Sequence, residues 1–143
     1  RFEDALNDVT KAMEFDKKMN RNYSRIVIKT HAGQILMELN RFSEAKKHLT
    51  EALDIAKSLK AYPEEEAVLH NSLARIGEKT GDWKSAFKHY LDYKNGMDSI
   101  RNAETENTIH DLEIKYQTSE KEKKIAELNN DNEVKNRQIN RNK

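Results

Sequence analysis

The sequence predicts an all-α fold of antiparallel helix pairs that ends in a long C-terminal helix. Of the 143 residues only four are Gly and one is Pro, whereas 36% are charged. A β-sandwich or a doubly wound sheet needs turn-forming residues about every 8–12 positions, and this chain has too few of them. Its apolar residues recur instead three and four positions apart, which is the periodicity of a helix with one buried face.

Composition excludes several classes of function. The chain has no Cys, so it forms no disulfide framework, no cysteine zinc site and no thiol nucleophile. With 26 Lys and Arg against 25 Asp and Glu, the net charge of +1 lacks the basic excess that is typical of nucleic-acid-binding domains. No apolar run approaches the roughly 18–20 residues that span a bilayer. We therefore expect no nucleic-acid partner, and a membrane connection only through a segment beyond Lys143.

A repeated motif divides the chain into helix pairs. The pattern aromatic-x-x-Ala begins at Phe2, Phe42 and Trp83, with spacings of 40 and 41 residues. The apolar stripe after each motif predicts one helix, and the small residues Gly33 and Ala74, 41 residues apart, mark another helix before the second and third motifs. We expect these small residues to lie where two helix axes approach closely, facing the motif alanines on the partner helix. Those alanines are Ala5, Ala45 and Ala86.

Six helices follow from these spacings, at 1–19, 22–39, 42–60, 63–80, 82–101 and 104 to about 138. Asn40 and Gly81 are turn formers before the third and fifth helices. Pro63 suits the first turn of the fourth helix, where Glu64–Glu66 place negative charge at the positive end of the helix dipole. An acidic catalytic cluster is the alternative interpretation of these glutamates. The sixth helix is long because no Gly or Pro follows Gly96.

The helix pairs resemble the tetratricopeptide repeat. In that family a small pair and a large residue on the first helix precede an aromatic-x-x-Ala motif on the second, and Gly usually stands at the turn, where this chain has Asn40 and Gly81. The chain departs from the family at Lys29 and His70, where an aromatic residue is usual. Its period also exceeds the family's basic period of about 34 residues, which longer helices explain. The resemblance implies an α-α superhelix.

The predicted organisation has two parts. Residues 1–103 form the repeats, and residues 104–143 form a capping helix that extends into a charged, Asn-rich linker or coiled-coil junction. The repeats themselves span 1–20, which is incomplete, 22–60 and 63–101. We expect residues 104–128 to pack against the fifth helix before the sixth runs free. We also expect at least one helix upstream of residue 1.

The C-terminal part carries a second resemblance. Asp98-Ser99-Ile100, Lys115-Tyr116-Gln117-Thr118 and the Lys/Glu-rich run 120–128 resemble the end of the repeat region in bacterial tetratricopeptide-containing sensor histidine kinases and their relatives with a LuxR-type output. The resemblance implies that this chain is a periplasmic input domain and that the output domain lies beyond Lys143. A cytoplasmic location is the alternative.

The resemblance also implies a binding groove on the first helix of each pair. Carried over onto this sequence, its lining is mixed polar and apolar and suits a protein or peptide ligand. The groove residues are Val27, Thr30, Gln34, Met37, Val68, Asn71, Arg75 and Glu78. The lysines with which some family members clamp a C-terminal carboxylate have no counterpart at Thr30 and Asn71. Surface exposure alone is the alternative interpretation of each position.

No catalytic or metal-binding pattern is recognisable in the sequence. The five histidines lack the i, i+4 spacing of a helical metal pair, so we expect neither metal nor cofactor. We expect His48 and His89, at equivalent repeat positions, on an outer face, and His70 in the core. His110 resembles a kinase phosphoacceptor only superficially, since no Gly-rich nucleotide-binding sequence follows it.

The sequence therefore predicts a non-enzymatic sensor or scaffold domain of a bacterial two-component protein. In this interpretation the domain binds a protein or peptide and relays the signal through its C-terminal helix to an output domain. Two alternatives remain open. One is a stand-alone cytoplasmic adaptor, and the other is an oligomerisation module that forms a homodimer through the C-terminal helix.

Overall fold

The computed structural model describes residues 1–19, 22–97 and 103–142. Its helices are α1 (Phe2–Met19), α2 (Asn22–Glu38), α3 (Phe42–Leu59), α4 (Pro63–Thr80), α5 (Trp83–Gly96) and α6 (Ala103–Arg141). The described part of the chain contains no β-strand, which confirms the all-α class with a long C-terminal helix. Helix α5 ends earlier than predicted, with Met97 as its C-cap; the rest of the predicted end, 98–101, lies outside the described residues.

Each helix packs against the next one along the chain. Consecutive helices from α1 to α6 contact one another, and α2 also contacts α4. Short connections fold α2 with α3 and α4 with α5 into hairpins. The contact between α2 and α4 sets the first helices of the two hairpins side by side, so α2 and α4 share one surface of the protein.

The two hairpin turns share a left-handed residue and one hydrogen bond. Asn40 and Gly81 both adopt left-handed backbone conformations, with φ of 58° and 78°. In each turn the next residue donates its backbone N–H five residues back, from Arg41 to the Leu36 carbonyl and from Asp82 to the Gly77 carbonyl, both at 2.9 Å. This bond is the one that closes a Schellman C-cap. The structure confirms the turns predicted at Asn40 and Gly81.

The core lies between the hairpins and consists of aliphatic side chains from α2, α3 and α4. Its fully buried large members are Ile26, Leu36, Leu49 and Leu69. Of the motif alanines, Ala45 and Ala86 are completely buried, whereas Ala5 is half-buried. Burial of these side chains stabilises the hairpins by removing apolar surface from water, at about 25 cal/mol per Å².

The close approaches between helices differ by one turn from the prediction. A Cβ on Gly33 would lie 2.5 Å from Cδ2 and Cγ of Leu49, one turn beyond the expected partner Ala45. In the other hairpin Gly77, about one turn beyond Ala74, meets Ala86, since a Cβ on Gly77 would lie 2.8 Å from the Ala86 backbone nitrogen. Motif spacing gives the position of a small residue along the chain, but the rotation of the partner helix decides which side chain it meets.

Helix α6 has a packed part and an exposed part. Thr105, Ile109 and Leu112 are buried against the repeats, and the ring of Tyr116 lies 6.0 Å from that of Phe87. Every residue from 120 to 142 is exposed, so the packed part ends before residue 128, the predicted limit. At about 1.5 Å per residue, the exposed part extends roughly 33 Å from the repeats. Within the described residues no helix is apolar over a length that would cross a bilayer.

Candidate functional site

The predicted groove corresponds to the surface that α2 and α4 share. Val27, Thr30 and Gln34 of α2 and Val68 of α4 line one cavity of about 270 Å³. Four further residues complete its lining: Ile26, His31, Glu64 and Glu65. The structure thus brings together four groove residues that lie about forty positions apart in sequence. We call the surface formed by the cavity-lining residues of α2 and α4 the α2–α4 face.

A second cavity continues this face toward the ends of the two helices. Its volume is about 320 Å³, and the predicted residues Gln34, Met37 and Arg75 line it. Phe2, Ile35 and Glu38 complete the lining. Two predicted residues line neither cavity, because Asn71 is half-buried between them and Glu78 is exposed beyond them.

The α2–α4 face carries both apolar and polar side chains and is charged at its two ends. Val68 is 42% exposed, a large apolar side chain open to solvent. Glu64 and Glu65 place carboxylates at one end, where the Tyr23 hydroxyl donates to Oε1 of Glu65 at 3.4 Å. Arg75 supplies a positive charge at the other end. This arrangement suits an extended segment with a basic residue near the glutamates and an apolar side chain against Val68.

Sequence reasoning did not foresee the contribution of Glu64 and Glu65 to this face. Their position after Pro63 indicates a favourable interaction with the helix dipole, and the structure agrees that they occupy the first turn of α4. The same turn also lies beside α2, so the two carboxylates line the cavity as well. A pattern within one helix cannot reveal this, since it depends on the neighbouring hairpin.

Two of the histidines, His48 and His89, are more buried than predicted. His70 is 6% exposed, which confirms its predicted core position. His48 and His89, expected on an outer face, are both half-buried. His89 lies on the side of α5 that faces α4, with its Nδ1 2.9 Å from Nδ1 of His70. The prediction of an outer face was wrong because the second helix of each hairpin is covered on more than one side.

Burial lowers the pKa of His70 and His89. For His70 the loss of solvation is the largest cause, opposed by the charge of Asp92 and assisted by His89 and Lys57, and it lowers the pKa to about 4. Burial likewise lowers the pKa of His89, with Asp92 opposing it. Both imidazoles are therefore neutral near pH 7. The Asp92 carboxylate approaches them, with Oδ2 3.8 Å from Nδ1 of His70.

His48 couples the stability of the repeats to pH. Its Nδ1 is buried and has no hydrogen-bond partner among the described residues, and burial, assisted by the charge of Lys29, lowers its pKa. A histidine with a lowered pKa in the folded state takes up its proton first in the unfolded state. The free energy of unfolding therefore does not depend on His48 protonation above about pH 6.5, and it decreases as the pH falls below that value.

Replacing His48 with Leu is expected to stabilise the protein, and more so at about pH 5 than at about pH 7.5. Removing the buried, unpaired nitrogen should raise the free energy of unfolding by about 1–2 kcal/mol. Urea denaturation at the two pH values measures both effects. His110→Leu is the matched control, because His110 is an exposed helical histidine. A His48→Leu variant with the same pH dependence as wild type would contradict the expectation.

Comparison with family models, with curated protein sequences and with solved structures gives no significant match.

Proposed function

We propose that this chain is a non-catalytic protein- or peptide-binding module of the tetratricopeptide type, acting as the sensor or scaffold part of a bacterial two-component signalling protein. The observation that carries the proposal is the α2–α4 face. Six of the eight groove residues expected from the resemblance line its two adjoining cavities. An open surface of mixed polar and apolar side chains with charged ends suits a polypeptide ligand better than a small molecule.

The repeat geometry supports the tetratricopeptide part of the proposal. The two hairpin turns at Asn40 and Gly81 have matching backbone conformations and matching hydrogen bonds. The aromatic residues that follow them, Phe42 and Trp83, begin the second helix of each hairpin. Side-by-side contact of α2 and α4 is the arrangement in which stacked repeats line a continuous binding surface.

Helix α6 supports the signalling part. Its first half packs on α5, partly through Lys115, whose Nζ lies 4.8 Å from the centre of the Trp83 ring. Its second half extends away as an uninterrupted helix to Arg141. A stiff helix anchored at one end carries a rotation or tilt of its base to its far end. We propose that ligand binding on the repeats changes the angle or register of α6, and that an output domain beyond Lys143 responds to this change.

Selection of peptides tests the binding function. A library of random peptides is selected on the 143-residue chain, and the enriched peptides are titrated against wild type, Val68→Glu and Val134→Glu. The two valines are matched, since they are 42% and 45% exposed, but only Val68 lies on the α2–α4 face. We expect Val68→Glu to weaken binding about tenfold or more, because a charge then replaces a buried apolar contact. Equal binding by both variants, or no enriched peptide, would contradict the proposal.

An insertion in α6 tests the relay. Two Gly residues are inserted after Glu120 in the full-length protein, where the helix leaves the repeats. We expect the output to lose its response to the input, because each Gly makes the helix about 1 kcal/mol less stable and therefore less stiff. An insertion of two Ala residues, which shifts the register equally but keeps the helix stiff, is the control. Signalling that persists unchanged through the Gly-Gly insertion would rule out the relay.

The exposed part of α6 favours a second candidate function, that of an oligomerisation module. Ile125, Leu128 and Ile139 are 58%, 53% and 54% exposed, at a spacing close to that of a coiled-coil seam. Sedimentation of the chain with and without residues 120–143 separates the two functions. A dimer that needs these residues supports the oligomerisation module, and a monomer in both cases excludes it.

The sequence of the gene separates an adaptor from a sensor. An adaptor function predicts a stop codon shortly after Lys143, whereas a sensor predicts an apolar span.

A further inference from the structure

A second cluster of functional side chains lies between α4 and α5, away from the α2–α4 face. It consists of His70 on α4 with His89 and Asp92 on α5. His70 follows Val68 by two positions, which turns it about 200° around α4. It therefore lies inside the α4–α5 hairpin and not among the residues that line the cavities of the α2–α4 face.

In each of the three side chains, one atom that could bind a metal faces the corresponding atoms of the other two. Nδ1 of His70 and Nδ1 of His89 are 2.9 Å apart, and Oδ2 of Asp92 is 3.8 Å from Nδ1 of His70. One potential ligand atom from each residue lies within 4.8 Å of the other two. In a tetrahedral zinc site with Zn–N distances of about 2.0–2.1 Å, neighbouring ligand atoms are about 3.3 Å apart. Small side-chain shifts therefore convert this triangle into three corners of a tetrahedron.

The state of the two imidazoles suits metal binding. A metal binds the neutral ring through a lone pair, and the Nδ1 atoms of the two rings face each other at 2.9 Å. When no metal is bound, one Nδ1 must donate its proton to the other. Moving that proton to Nε2 frees both Nδ1 lone pairs for the same ion. The pair is therefore ready to bind a metal without releasing a proton to solvent.

The approach to the cluster is open, and charges of both signs surround it. A cavity of about 260 Å³ reaches His70 and Asp92 and provides room for a water molecule as a fourth ligand. Glu66 on its lining adds an acidic group, whereas Lys57 opposes a cation. Lys46 and Asp82 also act on His89, with opposite signs. The carboxylate of Asp92, 56% exposed, is the charge nearest to the imidazoles.

We propose that His70, His89 and Asp92 form a Zn²⁺ site that ties α4 to α5. Two imidazoles and one carboxylate, with an open fourth position, are a donor set that zinc commonly takes in proteins. Spacing within a single helix predicts no such site, because the three ligands come from two helices. Bound zinc stabilises the hairpin, since the ion binds the folded arrangement and not the unfolded chain.

Cobalt and zinc titrations of the full chain test the site. Co²⁺ is followed by its visible ligand-field absorption, and Zn²⁺ by calorimetry and by the shift it causes in Tm. We expect one ion per chain, a raised Tm, and binding about tenfold weaker or worse in Asp92→Asn and His89→Gln. Because the chain has no Cys, no thiolate competes for the ion.

Two choices keep the test decisive. Asp92→Asn changes an exposed side chain and is expected to leave the fold intact even if His89→Gln does not fold. His110→Gln removes an exposed histidine far from the cluster and is expected to bind Co²⁺ and Zn²⁺ like wild type. Absence of saturable binding to the wild-type chain would overturn the proposal. So would undiminished binding in Asp92→Asn, or binding that depends on His110.

Discussion

Replacing Gly77 with Ala is expected to lower the free energy of unfolding by about 2–3 kcal/mol. The new Cβ would lie 2.8 Å from the Ala86 nitrogen, 2.9 Å from the Asp82 carbonyl oxygen and 3.0 Å from the Ala86 Cα. All three are backbone atoms, so rotation of a side chain cannot relieve the clash. The Asp82 carbonyl also accepts the Ala86 N–H at 3.0 Å in the first turn of α5. Relief of the clash therefore displaces α5 from α4.

Gly96→Ala is the matched control for this change. Among the residues that the structure describes, a Cβ on Gly96 would meet only the Cβ of Ala67, at the ordinary contact distance of 3.6 Å. Both substitutions replace a helical glycine and gain up to about 1 kcal/mol in helix propensity. Gly96→Ala should thus be neutral or slightly stabilising, whereas Gly77→Ala is strongly destabilising. Urea denaturation of both variants measures the difference, and equal stabilities would show that α4 and α5 do not approach each other at Gly77.

Replacing Leu49 with Ala is expected to cost about 3–5 kcal/mol in the free energy of unfolding. Leu49 is completely buried in the core between the hairpins. It also fills the space beside Gly33, where a Cβ would lie 2.5 Å from two of its carbon atoms. Truncation leaves a cavity at the contact between α2 and α3, and this cavity is next to a residue that carries no side chain.

The neighbouring glycine provides a sharper form of the same prediction. Gly33→Ala alone should be destabilising, because Leu49 is enclosed and cannot move away freely. In the Leu49→Ala background the added methyl group enters the cavity, so its cost should disappear or reverse. A double-mutant cycle with an interaction energy of about 1 kcal/mol or more is expected. In the background of Leu112→Ala, a buried truncation on α6, Gly33→Ala should keep its full cost; additivity in both backgrounds would contradict the contact.

The helices and turns were predictable from sequence because each depends on nearby residues. The Asn40 and Gly81 turns need a residue that tolerates a left-handed conformation, and Asn and Gly are the residues that supply it. Pro63 lies at the start of α4 because its missing N–H costs nothing there. The length of α6 follows from the absence of Gly and Pro after Gly96.

The contacts between helices were not predictable to the same precision. Motif spacing identified Gly33 as a close-approach residue but gave Ala45 as its partner, where the structure has Leu49. The error is one helical turn, which is about 5.4 Å along the axis. Relative rotation and translation of packed helices depend on all side chains at the interface, so a pattern in one helix leaves them open.

The two candidate sites differ in the same way. Six of the residues that the tetratricopeptide resemblance implies for a groove line the two cavities of the α2–α4 face. The cluster of His70, His89 and Asp92 was missed, although its signal is present in the sequence. His89 and Asp92 are three positions apart and share one side of α5, and His70 is on the other helix of the same hairpin. A search for ligands across hairpin partners would have found it.

Hydrogen exchange of the chain with and without a peptide selected from the random library tests most directly that α2 and α4 form one binding surface. Slowed exchange is expected in both helices, over residues 26–37 and 64–78, with none in α6 beyond Ser119. Protection confined to one of the two helices, or found only in the exposed part of α6, would contradict the binding surface on the repeats.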